Sequence, residues 1–248
     1  MSADNRSVRI VDGLSDLFDA GLIREVLYEV KSGKEATVFC CDSADGSLLA
    51  AKVYRDLATR RFRNSAVYQA GRVHLAREGR AKRAAENRTA FGLEMEQALW
   101  IDNEWSIMQR LHSAGLDVPQ PIARGERAIL MPFLGDERGP SAMLHAAGID
   151  RDAARVVVDR LLWNIEAMLD LHVVHGDLSP FNVMWHAGHA VIIDLPQSVD
   201  PRLNPVAQVL LARDISGICD WASRAGVQRD AARLTADLWM RFCLGEIG

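Results

Sequence analysis

No stretch of this 248-residue sequence offers the roughly 18 apolar residues that a membrane-spanning helix needs. Even Val156 to Val174 is broken by Asp159, Arg160, Glu166 and Asp170, so no membrane association is expected. Cysteine is scarce. The four present, Cys40, Cys41, Cys219 and Cys243, include no C-x-x-C pair. Cys40 and Cys41 are neighbours in a strand-like run and should face opposite sides of it, so the cysteines read as reduced core or edge residues. The first residues, Met1 to Gly13, lack the apolar core of a signal peptide, which makes cytoplasmic residence the expectation. Internal repeats and low-complexity tracts are missing too. With 49% hydrophobic and 25% charged residues, the composition excludes disorder over most of the length.

The net charge of −4 conceals a contrast. Residues 55–88 hold ten Lys and Arg against Asp56, Glu78 and Glu86, a local +7 that leaves −11 for the remainder. This segment has few large apolar residues and no sustained period, so it reads as a flexible basic insertion, or one ordered by a partner. Tyr68 among its arginines adds RNA to the candidate partners.

Hydropathy periods divide the rest into a strand-rich half and a helical half. Leu14 to Ala20 reads as a short helix stopped by Gly21. Leu22 to Lys31, Thr37 to Cys41 and Leu48 to Tyr54 read as an antiparallel meander, the last two joined by the turn-rich run Asp42 to Ser47. Gly92 to Ala114 is a helix ended by Gly115, and Arg127 to Phe133 a strand. Helix returns at Asp150 to Leu171. Two short strands, Val183 to Trp185 and Ala190 to Ile193, then flank a turn, and Val206 to Ala225 and Arg229 to Leu244 close the chain as helices.

The most informative segment is His175-Gly176-Asp177-Leu178-Ser179-Pro180-Phe181-Asn182, followed by Ile192-Ile193-Asp194. Phosphoryl transfer to a hydroxyl needs a carboxylate that accepts the proton and oxygen ligands for Mg²⁺. Asp177, Asn182 and Asp194 supply these groups in the order and spacing of protein kinases. On the strand side, Lys52 is in phase with Leu48, Ala50 and Tyr54, and on the long helix Glu104 falls at the centre of the apolar arc formed by Trp100, Ile101, Ile107, Met108 and Leu111. A buried ammonium and a buried carboxylate each need a partner, and pairing Lys52 with Glu104 satisfies both. Lys31-Ser32-Gly33-Lys34-Glu35-Ala36 lies in the first strand-to-strand turn. It is not a Walker A loop, because Glu35 stands where that loop requires Ser or Thr.

Together, Ser32 to Ala36, Lys52, Trp100 with Glu104, Met131-Pro132-Phe133-Leu134-Gly135, His175 to Asn182 and Asp194-Leu195-Pro196-Gln197 resemble the RIO-type atypical serine/threonine protein kinases. The resemblance runs from about Leu14 to Val199. It implies an α+β, two-lobed minimal protein-kinase-like fold. Residues 1–134 would form an N-terminal lobe bearing the nucleotide-phosphate loop and the basic insertion, and residues 135–248 a helical C-terminal lobe bearing the catalytic and metal loops. It implies Asp177 as catalytic base, Asn182 and Asp194 as metal ligands, and Asp194 also as an acceptor of the phosphoryl group. Lys52 and Glu104 would form the ion pair that holds ATP, with Ser32, Gly33 and Lys34 over the phosphates and Met131 and Leu134 at the adenine. ATP would be the phosphoryl donor, Mg²⁺ the cofactor with Mn²⁺ as the alternative, and protein Ser/Thr hydroxyls the acceptors, accompanied by autophosphorylation or ATP hydrolysis. The sequence departs from ordinary kinases at Gly176, where they place Arg, and after Asp194, where no Phe-Gly follows.

Two rival functions are carried forward. Small-molecule phosphotransferases of the aminoglycoside or choline type share His-Gly-Asp and the later Asn and Asp, though Ser32 to Ala36 and Asp194 to Gln197 favour the RIO reading. The second rival is an ATP-gated binding factor for ribosome precursors that uses the basic segment. His186 and His189 have a zinc-compatible spacing but no third ligand nearby, so they read as solvated turn residues. Trp100, Trp105, Trp163, Trp221 and Trp239 sit at helical positions and read as core.

Overall fold

The computed structural model describes residues 11–55 and 90–247. The basic segment, apart from Arg55, lies outside the described residues. Two compact units emerge. Of the described residues, the first comprises 11–55, 90–105 and 120–140, and the second 106–119 and 141–247.

The first unit begins with the short helix α1 (Ser15–Asp19), followed by β1 (Glu25–Ser32), β2 (Ala36–Asp42) and β3 (Leu48–Tyr54). The long helix α2 (Ala90–Ser113) follows and contributes its residues up to Trp105 to this unit. Next come β4 (Ala123–Arg124), β5 (Ala128–Pro132) and a minimal hairpin of β6 (Gly135–Asp136) and β7 (Gly139–Pro140). The main sheet is antiparallel with strand order β1-β2-β3-β5-β4, so β3, which carries Lys52, is central. Val38 and Ile129 lie opposite Lys52 on the two flanking strands.

Because side chains alternate along a strand, the sheet buries two different apolar sets. Cys41, Leu49, Ala51, Val53, Ala128 and Leu130 pack with Leu14 and Leu17 on one face. Cys40, Ala50 and Phe133 cluster with Val30, Val38, Leu48 and Met131 on the other. The adjacent cysteines thus divide between the two faces, as the strand period requires, and both are fully buried. Two register shifts interrupt the β1–β2 pair, between Val26 and Tyr28 and between Glu29 and Lys31, before the turn at Ser32 to Glu35.

In the second unit, helix α3 (Arg151–Asp170) starts at Asp150, whose carboxylate accepts from the Ala153 N–H at 2.9 Å. The hairpin of β8 (Val183–His186) and β9 (His189–Ile192) follows, then helices α4 (Ala207–Arg224) and α5 (Ala231–Leu244). Asp117 binds the hairpin to α3. Its backbone carbonyl accepts from the Ile192 N–H at 2.7 Å, while its side chain takes hydrogen bonds from Arg160 and from the fully buried Asn164. Residue Asp194, two positions beyond β9, inherits its place from this anchorage.

The strand-and-helix organisation expected from hydropathy is the one observed, and the fold is kinase-like α+β. One packing expectation fails. Trp100 and Trp221 are buried, but Trp163 is 42% exposed and carries the Arg160 guanidinium 4.0 Å above its ring. At about 100° per residue it stands opposite the buried stripe that includes Val158, Leu161 and Ile165. Among the described residues, no helix is long and apolar enough to cross a membrane.

Candidate active site

In the first unit, Lys52 and Tyr54 share a face of β3 because they are two residues apart. Glu104 is fully buried on α2 and meets both. Lys52 Nζ donates to Glu104 Oε1 at 2.7 Å, with the two side chains 12% and 1% exposed, and the Tyr54 hydroxyl donates to Glu104 Oε2. The ion pair expected from sequence is therefore present. Tyr54 as its third member was not foreseen.

The Ser32 to Glu35 turn is braced by Arg55. Its guanidinium donates to Ser32 Oγ and, at 3.4 Å, to Thr37 Oγ1, and its N–H donates to the Glu35 carbonyl at 2.9 Å. The Gly33 N–H closes the turn on the Ala36 carbonyl at 2.9 Å, which leaves Lys34 exposed. Met131 pairs with Ala50 across the sheet and joins the apolar set around Cys40 and Phe133. Leu134 follows directly on that set.

In the second unit, Asp177, Asn182, His175 and Ile193, the residue before Asp194, form one closed ring of hydrogen bonds. Asn182 Nδ2 donates to the Asp177 carbonyl at 2.8 Å and to its carboxylate at 3.2 Å. The Ile193 N–H donates to the Asn182 carbonyl at 2.9 Å. His175, only 2% exposed, completes the ring: its Nδ1 accepts from the Asp177 N–H at 3.3 Å and its Nε2 meets the Ile193 carbonyl at 3.2 Å. With the Asp177 N–H donating to Nδ1, the bond to the Ile193 carbonyl is assigned to an Nε2 proton, and the ring ties the two loops together. Asp194 itself has φ +68°, a left-handed conformation that Asp and Asn tolerate better than most residues.

Beneath the ring lies Asp214 on α4, 2% exposed. Its two oxygens accept from the Gly176 and Leu178 N–H groups, each at 2.8 Å, so one carboxylate grips the loop on both sides of Asp177. Gly176 is also forced. Its φ is +80°, and a Cβ there would meet the Gln197 carbonyl oxygen at 2.8 Å, so an Arg at this position has no room. Arg213, next to Asp214, approaches the Asp177 carboxylate at 3.9 Å, but both side chains are more than half exposed and the attraction is weak.

Burial pushes the Asp214 carboxyl up to about 6, against the opposing pull of His175 and of the two backbone donors. The fold holds this proton more tightly than the unfolded chain does. Its stabilising effect is therefore complete in acid, below about pH 4, and is lost as pH rises through about 6. Asp214→Asn should flatten this dependence. In denaturant titrations between about pH 4 and 7, the wild type should lose about 2 kcal/mol more stability than the variant. Equal slopes would show that ionising Asp214 costs the fold nothing.

The donor set fits a magnesium ion. Asn182 and Asp194 offer hard oxygen ligands, and Mg²⁺ typically takes one or two protein carboxylates together with phosphate oxygens and water. Among the described residues no group of three or more His, Cys, Asp or Glu is placed to hold a metal ion. His186 is half-buried and shares a hydrogen bond with Ser141 Oγ at 2.8 Å, so it is a tied hairpin residue and not the solvated one expected.

The model of the RIO domain matches residues 37–234. The chain belongs to this family. Among RIO relatives, it is 27% identical over 215 residues to the human serine/threonine-protein kinase RIO1, covering 86% of this chain and 36% of that protein. It is 29% identical over 208 residues to the RIO-type serine/threonine-protein kinase Rio1 of Haloferax volcanii, covering 83% and 66%. The chain thus spans between about a third and two thirds of the length of these RIO kinases. Among solved structures it resembles the Rio2 kinase of Chaetomium thermophilum, with a TM-score of 0.67 at 20% identity over 90% of this chain and 66% of that one. The Rio2 kinase–ADP/Mg²⁺–phosphoaspartate complex from the same organism gives 0.66 over 90% and 64%. At this identity the likeness is one of fold.

Proposed function

We propose that this chain is a RIO-type serine/threonine protein kinase that transfers the γ-phosphoryl group of ATP, with Mg²⁺, to protein hydroxyls. The observation that carries the reading is the hydrogen-bonded ring that ties Asp177 to Asn182 and to Ile193, the residue before Asp194. The Asp177 carboxylate is held by Asn182 and accepts the acceptor hydroxyl's proton as that oxygen bonds to phosphorus and ADP leaves. Asn182 and Asp194 would hold Mg²⁺, which when bound neutralises charge on the phosphates. Lys52, immobilised by Glu104, meets the α- and β-phosphates, and the turn residues Ser32, Gly33 and Lys34 lie over them. Met131 backs the adenine, while the Pro132 carbonyl and the Leu134 N–H bond its edge.

The names of the RIO1 relatives and the ADP/Mg²⁺ complex of Rio2 support this assignment. The phosphoaspartate of that complex supports Asp194 as a phosphoryl acceptor, with autophosphorylation and ATP hydrolysis as outcomes when no acceptor protein is bound. The +7 charge of residues 55–88 supports an acidic partner such as RNA or a ribosomal particle.

The deciding experiment incubates the chain with γ-labelled ATP and Mg²⁺ in the presence of candidate protein acceptors. Label should appear on serine or threonine with the wild type and not with Asp177→Asn. ATP consumption with no label in any protein would instead identify an ATPase. A second expectation concerns the ion pair. Lys52→Met and Glu104→Gln each leave the same buried partner poorly compensated, so their losses in log kcat/KM should not add and the double variant should resemble the worse single one. Simple additivity would show that the two residues act separately.

A further inference from the structure

We propose that Tyr54 is a positioning residue for nucleotide binding: its hydroxyl fixes the Glu104 carboxylate, which in turn fixes the Lys52 ammonium. The inference rests on the kinase reading of Lys52 and adds a residue to it. Tyr54 ends β3 and is 1% exposed. Its hydroxyl donates to one Glu104 oxygen while Lys52 donates to the other at 2.7 Å. The Lys52 ammonium also lies 5.5 Å from the centre of the Tyr54 ring. Three side chains therefore share one buried charge site.

The chemistry explains why the third is needed. A carboxylate has two oxygens, and Glu104 is fully buried, so the oxygen that Lys52 does not reach needs a donor of its own. The terminal torsion of a Glu side chain is soft. Without the hydroxyl, the carboxylate is free to rotate and offer both oxygens to Lys52, which draws the ammonium out of position. Tyr54 resists this because it is itself held against α2. Its ring packs on Trp100 with centroids 6.5 Å apart, and its carbonyl accepts from Gln97 Nε2 at 3.5 Å. Gln97, Trp100 and Glu104 follow one another along a single face of the helix. A tyrosine serving only as core would find a neutral acceptor, whereas this one donates into the ion pair.

Tyr54→Phe removes one oxygen and keeps the ring. Measured by calorimetry with Mg²⁺ and a non-hydrolysable ATP analogue, the folded variant should bind about tenfold more weakly, or ~1.4 kcal/mol. In a Glu104→Met background, which lacks the acceptor, the same substitution should change affinity less than about twofold, because the cycle isolates the pairwise effect. A purely structural tyrosine predicts otherwise: lower thermal stability with unchanged affinity, or equal losses in both backgrounds. Either result overturns the proposal. If Tyr54→Phe does not fold, the wild-type chain decides, since a buried hydroxyl donating to a carboxylate should give a slowly exchanging Tyr54 hydroxyl proton by NMR, and its absence removes the contact. A wild type that binds no nucleotide overturns the kinase reading as well, whereas normal wild-type binding with an unaffected Tyr54→Phe overturns the role of Tyr54 alone.

Discussion

Asp177→Asn should lower turnover by about 10²–10⁴ while leaving ATP affinity within a few-fold of wild type, the usual contribution of a positioned acid–base group. The geometry makes this substitution a clean one. The Asp177 side chain is 53% exposed, so exchanging it opens no cavity. The contacts that place the residue run through its backbone: its carbonyl accepts from Asn182 at 2.8 Å and its N–H donates to His175 at 3.3 Å. The amide of the variant can still accept from Asn182. What it cannot do is take up the acceptor's proton. Initial rates with γ-labelled ATP, set beside calorimetric binding of an ATP analogue, separate the two effects. Parallel losses in binding and turnover would make Asp177 a structural residue and withdraw the base.

The difference between what the sequence discloses here and what it conceals has a physical origin. Lys52 and Glu104 could be paired in advance because each violates a strong pattern, a charge in phase with the apolar residues of a strand and of a helix. Asp214 violates the same pattern, standing among Leu210, Leu211, Ile215 and Ile218 on the buried face of α4. Applying the Glu104 argument to it would have flagged a buried carboxylate. Its partners are another matter, since they are backbone N–H groups 36 and 38 residues away in the chain and carry no residue-type signal.

Tyr54 was likewise visible as a core residue but not as a donor to Glu104, because a buried hydroxyl can be satisfied by any nearby carbonyl. His175 could be quoted as part of a motif without its role, which depends on both ring nitrogens meeting backbone atoms. The strands β4, β6 and β7 have two residues each and exist through pairing, not through any period of their own. Trp163 misled in the opposite direction. Its apolar neighbours in sequence belong to the far side of the helix, where angle and not proximity along the chain decides burial.

The second large effect concerns Asp194, to which two separable roles are assigned. As the proposed metal ligand it would hold an ion that stabilises the transferring phosphates by several kcal/mol, so Asp194→Asn should lower turnover by about 10³-fold or more. The left-handed backbone makes Asn the right replacement. At φ +68° an Asn is tolerated almost as well as Asp, whereas Ala would add strain and confuse the result. As a covalent acceptor, Asp194 would attack the γ-phosphorus through a carboxylate oxygen. The bond from that phosphorus to the bridging oxygen breaks, ADP leaves, and an acyl phosphate remains until water hydrolyses it to inorganic phosphate and free carboxylate. Wild type incubated with γ-labelled ATP and Mg²⁺ should then trap a label that hydroxylamine releases, as an acyl phosphate requires and a phosphoserine does not allow. The label should be missing from Asp194→Asn. Active ATP turnover by the wild type without any hydroxylamine-labile label would reject the covalent step and leave Asp194 as a ligand only. Retention of the labile label by Asp194→Asn would place the acyl phosphate on another carboxylate.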